Sequence, residues 1–397
     1  MLRFSRFISL ILALLLCFTM VIPTRTSFAG NAAADLIQAA TQGNMTGITD
    51  IENKTANAGV SGLPDSPQFG YGARLYVNGQ AVQPAIETAA AMGLDWLAMD
   101  FDWAARWVEP NTAADMTTLN QVMDLAQHNH MNVLLTIKNA PAWSLTPTGP
   151  DPIITANIVL MLAHQFRGTL MAIELFPGVN TKSGWGAPAN PTVYTALLKT
   201  VQSVLRANGE TLVIVSGGLT PLSTVRSNGD MDDLSFLEGL YAAGAQSALS
   251  IIGLRFSTLS GEPMAEPTPS NRRVLRHYEE IRRIMLKNNH DRGLIWITDF
   301  TWPDHLTTTN QQARWAYQAY KLLIAQLYIG AAFFGPLNPA SLSSKTALIA
   351  PDGQLHPALN SISQTVITIG QPAAAASFLS KKKSPTCDFK HPNDSQP

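Results

Sequence analysis

The chain has 397 residues, of which 46% are hydrophobic and only 14% are charged. Its net charge of −1 gives no electrostatic basis for binding nucleic acid. Its two cysteines supply neither a disulfide framework nor a cysteine zinc site, and the sequence contains no phosphate-binding loop and no His-Glu-x-x-His pattern. We therefore predict no metal, nucleotide or other cofactor.

Residues 1–29 have the three regions of a secretory signal. Arg3 and Arg6 precede an apolar run from Phe7 to Ile22, and Ser27-Phe28-Ala29 fits a small-x-small cleavage site. The apolar run is shorter than the roughly 20 residues that cross a membrane. We expect a cleaved signal and an exported protein, secreted or at the cell surface, although an uncleaved membrane anchor remains the alternative. Export without disulfides favours a bacterial source.

The predicted elements follow in chain order. Residues 30–67, rich in Ala, Asn, Thr and Gly, are interpreted as an N-terminal arm or linker, and residues 369–397 as a disordered polar tail. Between them, β-rich runs alternate with longer amphipathic stretches. Strands are predicted near 69–76, 94–101, 132–138, 169–176, 211–216, 249–256, 293–300 and 330–335. Helices are predicted near 81–92, 115–129, 153–166, 191–207, 231–244, 270–289, 309–328 and 356–366.

Eight strand–helix pairs in about 300 residues are the count and size of a TIM barrel. We therefore predict an α/β fold, a single-domain (βα)8 TIM barrel over residues 68–368. A doubly wound open sheet is the alternative, but it would usually carry a Gly-rich phosphate loop after the first strand, and this chain has none there.

Short motifs near the predicted strand ends resemble one group of enzymes. They are Tyr71-Gly72, the segment 139–143 (Asn-Ala-Pro-Ala-Trp), the segment 295–302 and the segment 348–353. Their order and spacing are similar to those of the clan A retaining glycoside hydrolases, which include the family 5 cellulases and the family 39 xylosidases and iduronidases. The resemblance runs from about residue 68 to residue 366. It implies a TIM barrel with two glutamates about 5–5.5 Å apart, an acid/base at the end of strand four and a nucleophile at the end of strand seven.

The chain departs from that pattern at both catalytic positions. The acid/base position is Gly178, which cannot transfer a proton, and the preceding asparagine position is Pro177. The nucleophile position is Asp299, which keeps a carboxylate on a shorter side chain. Glu174 lies four residues before Gly178, roughly 13 Å deeper along the strand, and we expect it to have a structural role.

Two further strand ends also differ. Arg255, Phe256 and Ser257 stand where the family pattern has His-Pro-Tyr on strand six, and Gly335 stands where it has a Trp on strand eight. We expect Arg255 to form an ion pair with Asp299 or Asp102, because an arginine among carboxylates usually binds one of them.

The remaining cleft candidates allow two interpretations. The charged candidates at or just beyond the predicted strand ends are Asp100, Asp102, Arg255, Asp299, Asp304 and His305. Among them, Asp299 could form a new acid/base pair with Asp102 or with His305. Trp143, Trp185 and Trp302 fall on loops after the strands, where they could stack on sugars or form part of the core.

We predict an exported glycoside-hydrolase-like barrel, a pseudoenzyme that binds a polysaccharide, a cell-surface glycan or a protein partner through the degenerate cleft. The alternative is an active O-glycosyl hydrolase that uses Asp299 with a relocated general acid.

Overall fold

The computed structural model describes residues 59–222, 228–303, 307–341 and 347–369. The predicted signal, nearly all of the arm and the tail beyond residue 369 lie outside these residues, so those assignments stay predictions. No helix in the described residues is long and apolar enough to span a membrane.

The strands are β1 (Gly70–Leu75), β2 (Trp96–Asp102), β3 (Asn132–Lys138), β4 (Leu170–Leu175), β5 (Val213–Ser216), β6 (Ile251–Arg255), β7 (Leu294–Phe300) and β8 (Ile329–Phe334). They are parallel and form a closed barrel in the order β1-β8-β7-β6-β5-β4-β3-β2. This arrangement confirms the predicted (βα)8 barrel. Nearly every strand residue is buried, as expected for strands with the core on one face and helices on the other.

A helix follows each strand. These helices are α1 (Val82–Ala91), α2 (Thr117–His128), α3 (Pro152–Gln165), α4 (Pro191–Ala207), α5 (Asp233–Ala242), α6 (Tyr278–Lys287), α7 (Thr309–Ile324) and α8 (Pro357–Ile369). The loops add the single-turn helices Trp103–Arg106 and Lys182–Trp185, the 3₁₀ turns Ala142–Ser144, Gln246–Ala248 and Leu275–His277, and a short ribbon of Leu145–Thr146 with Gly149–Pro150.

The starts of the helices are encoded locally. The Asp151 side chain accepts hydrogen bonds from the N–H groups of Ile153 and Ile154, both at 2.9 Å, and Pro152 occupies the first position of α3. A side-chain acceptor satisfies N–H groups that have no partner within the helix, and proline needs none there.

Helix α6 begins at Tyr278 rather than near residue 270, where the sequence pattern predicts it. The backbone N–H of Ser260 donates to the Arg273 carbonyl oxygen at 2.7 Å, and the Ser260 hydroxyl donates to Asn271 Oδ1 at 2.8 Å. These bonds hold the residues before α6 in a loop.

The N-terminal end of the barrel is packed with aromatic side chains. The rings of Trp96 and Trp296 meet edge to face at 5.0 Å, and Phe333 lies against both. The two indole N–H groups donate to the carbonyl oxygens of Ser61 and Gly62, at 3.0 and 2.9 Å. Residues 60–63, placed in the arm by the sequence pattern, therefore close this end of the barrel and leave the opposite end for chemistry.

Candidate functional site

The C-terminal ends of the strands, which we call the mouth, carry a continuous line of ion pairs. Lys138 Nζ lies 2.9 Å from Asp100 Oδ2, and Arg74 Nη2 binds the other oxygen of Asp100. Asp299 Oδ2 lies 3.8 Å from Arg74 Nε and 2.8 Å from Arg255 Nη2. We call Lys138, Asp100, Arg74, Asp299 and Arg255 the charge arc. Its charges alternate in sign, and both of its ends are cations.

Strand register brings these groups together. Arg255 and Asp299 are opposite each other on the neighbouring strands β6 and β7, so their side chains can meet directly. Lys138 is opposite Asp102 on β2, but its ammonium group binds Asp100, two residues earlier on that strand. The Arg255–Asp299 pair is the first of the two pairings that the sequence predicts.

Asp100 and Arg74 stay ionised although both are largely buried. Burial alone would raise the pKa of Asp100, but the charges of Arg74 and Lys138 outweigh burial and hold that pKa below its usual value. Burial alone would lower the pKa of Arg74, but Asp100 and Asp299 outweigh it and hold that pKa above its usual value. Arg74 Nη1 also donates to the Thr298 carbonyl oxygen at 3.0 Å. Asp100 is therefore unsuited to donate a proton near neutral pH.

Glu174 lies beneath the charge arc, fully buried. Its Oε2 accepts a hydrogen bond from the Thr136 hydroxyl at 2.7 Å. Its Oε1 accepts from the Thr298 hydroxyl at 2.8 Å and from the Gly218 N–H at 2.9 Å. The carboxylate thus ties β3 and β7 to the loop after β5, which agrees with the structural role expected from the sequence.

The acid/base position of the family pattern lies in a tight turn after β4. Gly178 has a φ of +71°, its N–H donates to the Gly218 carbonyl oxygen at 2.7 Å, and its own carbonyl oxygen accepts from the Thr181 hydroxyl at 2.7 Å. A glycine adopts this left-handed backbone without the steric cost of a side chain.

Gly335 makes room for an arginine. A Cβ added at Gly335 would lie 2.8 Å from Cβ of Arg74, closer than such atoms approach. Gly335 and the arginine on β1 are therefore sterically coupled, because a larger residue at position 335 would clash with Arg74.

Two further candidate acid/base groups were predicted from the sequence. Asp102 accepts hydrogen bonds from Asn139 Nδ2 at 2.8 Å and from the Ala105 N–H at 3.3 Å, where it caps the helix Trp103–Arg106. His305 and the neighbouring candidate Asp304 lie outside the described residues.

The three candidate sugar platforms differ in exposure. Trp185 and Trp302 are buried, and their indole N–H groups donate to the carbonyl oxygens of Thr148 and Gly261, both at 2.8 Å. Trp143 is half-buried and meets Trp103 edge to face at 5.7 Å. Of these three rings, Trp143 alone has appreciable exposure for a ligand.

Two members of the charge arc were not among the sequence candidates. Arg74 and Lys138 lie on β1 and at the end of β3, in segments that are otherwise apolar or small. A lone charge in a strand with both faces buried requires a partner. That isolated charge was the signal available in the sequence.

No protein-family model and no curated protein matches the chain. Solved structures do match in fold. A family 39 glycoside hydrolase from the gut symbiont Bacteroides cellulosilyticus WH2 aligns with a TM-score of 0.54 and 14% identity, over 75% of this chain and 63% of that chain. This chain therefore spans less than two thirds of that protein.

Two further solved structures align with this chain over a larger share of their own residues. GH5_18 from Streptomyces cattleya in complex with GlcNAc aligns with a TM-score of 0.53 and 11% identity, over 77% of this chain and 81% of that chain. A GH30 endoxylanase from Clostridium papyrosolvens C71 gives 0.52 and 11%, over 76% and 72%. At these identities the likeness shows the fold alone. The predicted resemblance is confirmed at that level, because the chain has the barrel fold of glycoside hydrolases.

Proposed function

We propose that this protein is an exported barrel that binds a glycan at its mouth and does not hydrolyse it with a pair of carboxylates. The observation that carries this proposal is the Asp299–Arg255 ion pair at 2.8 Å, together with a glycine at position 178.

Retaining hydrolysis needs two carboxyl groups with different tasks. One protonates the leaving oxygen while the other attacks the anomeric carbon. Asp299 Oδ2 faces two guanidinium groups. Because their positive charges offset that of the carboxylate, it is a poor nucleophile toward a substrate. The sequence holds no acid between Glu174 and Glu210, so nothing at the end of β4 can replace the missing proton donor.

The fold and the mouth support a glycan as the ligand. GH5_18 from Streptomyces cattleya has this fold and was solved in complex with GlcNAc. That ligand is an observation on GH5_18 and not on this chain. In this chain the mouth offers charged hydrogen-bonding groups and the half-buried ring of Trp143. Hydroxyl-rich ligands combine such polar contacts with stacking on an aromatic face.

An active hydrolase remains the second candidate, with Asp299 as nucleophile and Asp102 as general acid. Asp102 favours it because the carboxylate is partly exposed at the mouth and, among the described residues, has no cationic partner. The hydrogen bonds from Asn139 and the Ala105 N–H argue against it, because they hold this side chain as the cap of the helix Trp103–Arg106.

The test measures hydrolysis and binding on the same protein. Aryl glycosides, cellulose, xylan, mannan and β-1,3-glucan are assayed for released product and for retention of the protein. We expect retention on at least one polymer and no product. Asp299→Asn is compared with Glu238→Gln, which alters an exposed carboxylate on α5.

The outcomes separate the two candidates. Turnover that is lost in Asp299→Asn and kept in Glu238→Gln would establish a hydrolase and overturn the proposal. For binding, Trp143→Ala is compared with Trp315→Ala, a half-buried Trp on α7. Weaker retention of Trp143→Ala alone supports binding at the mouth, whereas equal retention of both variants contradicts it.

A further inference from the structure

We infer that the mouth selects an acidic glycan by binding the carboxylate of a uronic acid residue between Lys138 and Arg255. The inference rests on the proposed glycan binding and names its ligand class. It follows from the two ends of the charge arc, which are both cations with unused donors.

Arg255 has guanidinium N–H donors that are not fully used by acceptors in the described residues. Its Nη2 donates to Asp299, and its Nε makes a long contact of 3.4 Å with the Ser257 hydroxyl. Its Nη1 is enclosed and has no acceptor among the described residues, so the guanidinium must turn toward the opening before this donor can meet a ligand. Enclosed guanidinium donors are normally paired, and a carboxylate is the acceptor whose geometry suits them.

Lys138 provides the second cation. An ammonium group has three donors, and its contact among the described residues is with Asp100. About a third of the Lys138 side chain is exposed, as is about a fifth of that of Arg255, so both groups border the opening.

Strands β4 and β5 lie between the two ends of the charge arc, Lys138 at the end of β3 and Arg255 at the end of β6. The segments after β4 and β5, residues 176–181 and 217–222, contain no charged residue.

Glu174 connects the two sides of this gap between the ends. Its Oε2 accepts from Thr136 on β3, two residues before Lys138. A Cβ added at Gly218 would lie 2.7 Å from Oε1 of Glu174 and 2.8 Å from Cβ of Arg255. The two ends of the charge arc therefore lie on opposite sides of the same carboxylate.

Two further carboxylates at the mouth, both in the described part of the chain, are bound by neutral donors. Glu174 is held by two threonine hydroxyls and one N–H group, and Asp102 by Asn139 and one N–H group. Neither is paired with a cation of the charge arc in the described residues. Both exposed ends of the charge arc are cations, so an anion is the ligand that they attract.

The experiment compares oligogalacturonate and oligoalginate with their methyl esters, with a neutral mannan oligosaccharide and with a sulfated cello-oligosaccharide. Dissociation constants are measured by calorimetry at two salt concentrations. The esters keep the sugar and remove the charge. We expect a free uronate to bind at least tenfold more tightly than its ester, and the difference to shrink at high salt.

Three single-charge variants locate the site. Arg255→Gln and Lys138→Gln should each weaken uronate binding by about 10- to 100-fold, the range for one hydrogen bond to a charged group. Arg283→Gln removes an exposed arginine on α6 and should leave binding unchanged. Arg255→Lys, which keeps a cation, should retain part of the affinity. Lys138→Gln tests the site even if Arg255→Gln unfolds.

Each outcome has a distinct meaning. Equal affinity for uronate and ester, a preference for the sulfated probe, or equal losses in all three glutamine variants would overturn the inference while leaving glycan binding intact. Failure of every glycan, neutral or acidic, would overturn the proposed function as well.

Discussion

Glu174 offers the sharpest test of how the mouth is held together. Its carboxylate accepts hydrogen bonds from Thr136, Thr298 and the Gly218 N–H, and all of these groups are buried or enclosed. Glu174→Leu removes both oxygens and leaves a side chain of similar size. Each buried donor without an acceptor costs about 1–3 kcal/mol. Because the two hydroxyls can rotate toward other acceptors, we expect the free energy of unfolding to fall by about 3–5 kcal/mol.

Glu174→Gln is the matched control. The amide oxygen can still accept from Gly218 and Thr298, and the amide nitrogen can donate to the Thr136 hydroxyl, which is able to accept. The loss should therefore be about 1 kcal/mol. The assay is equilibrium unfolding in urea followed by circular dichroism, with the midpoint and slope compared between variants.

A triple variant separates the hydrogen bonds from the shape of the site. In Glu174→Leu combined with Thr136→Val and Thr298→Val, the two hydroxyl donors disappear together with their acceptor. Replacing both partners by apolar groups costs far less than removing one. We expect the triple variant to be more stable than Glu174→Leu alone by about 1–3 kcal/mol. If Glu174→Leu is as stable as Glu174→Gln, or if the triple variant is less stable than both, the carboxylate does not hold these strands.

The barrel was predictable because its signals are local and repeated. Eight apolar runs alternate with amphipathic stretches, and helix starts such as Asp151-Pro152 carry their own capping group. Local signals give no information on contacts between distant segments. Residues 60–63 have the composition of a linker, yet Ser61 and Gly62 accept hydrogen bonds from Trp96 and Trp296, which are more than thirty residues away in the chain.

The same limit applies to the mouth. The sequence shows that positions 178 and 335 differ from the pattern that it resembles, but not which residues lie against these two glycines. Arg74 fills the space beside Gly335 from the other end of the chain, 261 residues away. Such a contact depends on which strand ends are neighbours in the closed barrel, and only the assembled fold fixes that.

Three further predictions concern single positions. Gly178→Glu introduces a carboxyl group but forces a side chain into a left-handed turn, so the free energy of unfolding should fall by about 1–2 kcal/mol. The variant should not hydrolyse aryl glycosides, because Asp299 stays paired with arginine. Any turnover would contradict this expectation. Asp233→Ala removes the hydrogen-bond partner of the buried His277, whose Nε2 lies 2.6 Å from Asp233 Oδ2. Urea unfolding should show a loss of about 1.5–3 kcal/mol, the range for a hydrogen bond to a charged group. A loss below about 0.5 kcal/mol would contradict this pairing. Burial raises the pKa of Asp95 to about 6, against the lowering effect of its hydrogen bonds from Ser61 and a backbone N–H. The folded chain therefore binds this proton more tightly than the unfolded chain, so this group stabilises the fold at low pH and the contribution is lost as the pH rises through about 4 to 6. Each tenfold difference in proton affinity is worth about 1.4 kcal/mol, so ionising Asp95 in the folded chain costs about 3 kcal/mol. Asp95→Asn cannot ionise, and its stability relative to the native chain should rise by up to about 3 kcal/mol between pH 4 and pH 7; a difference in the free energy of unfolding that stays constant across this range would show that Asp95 titrates normally.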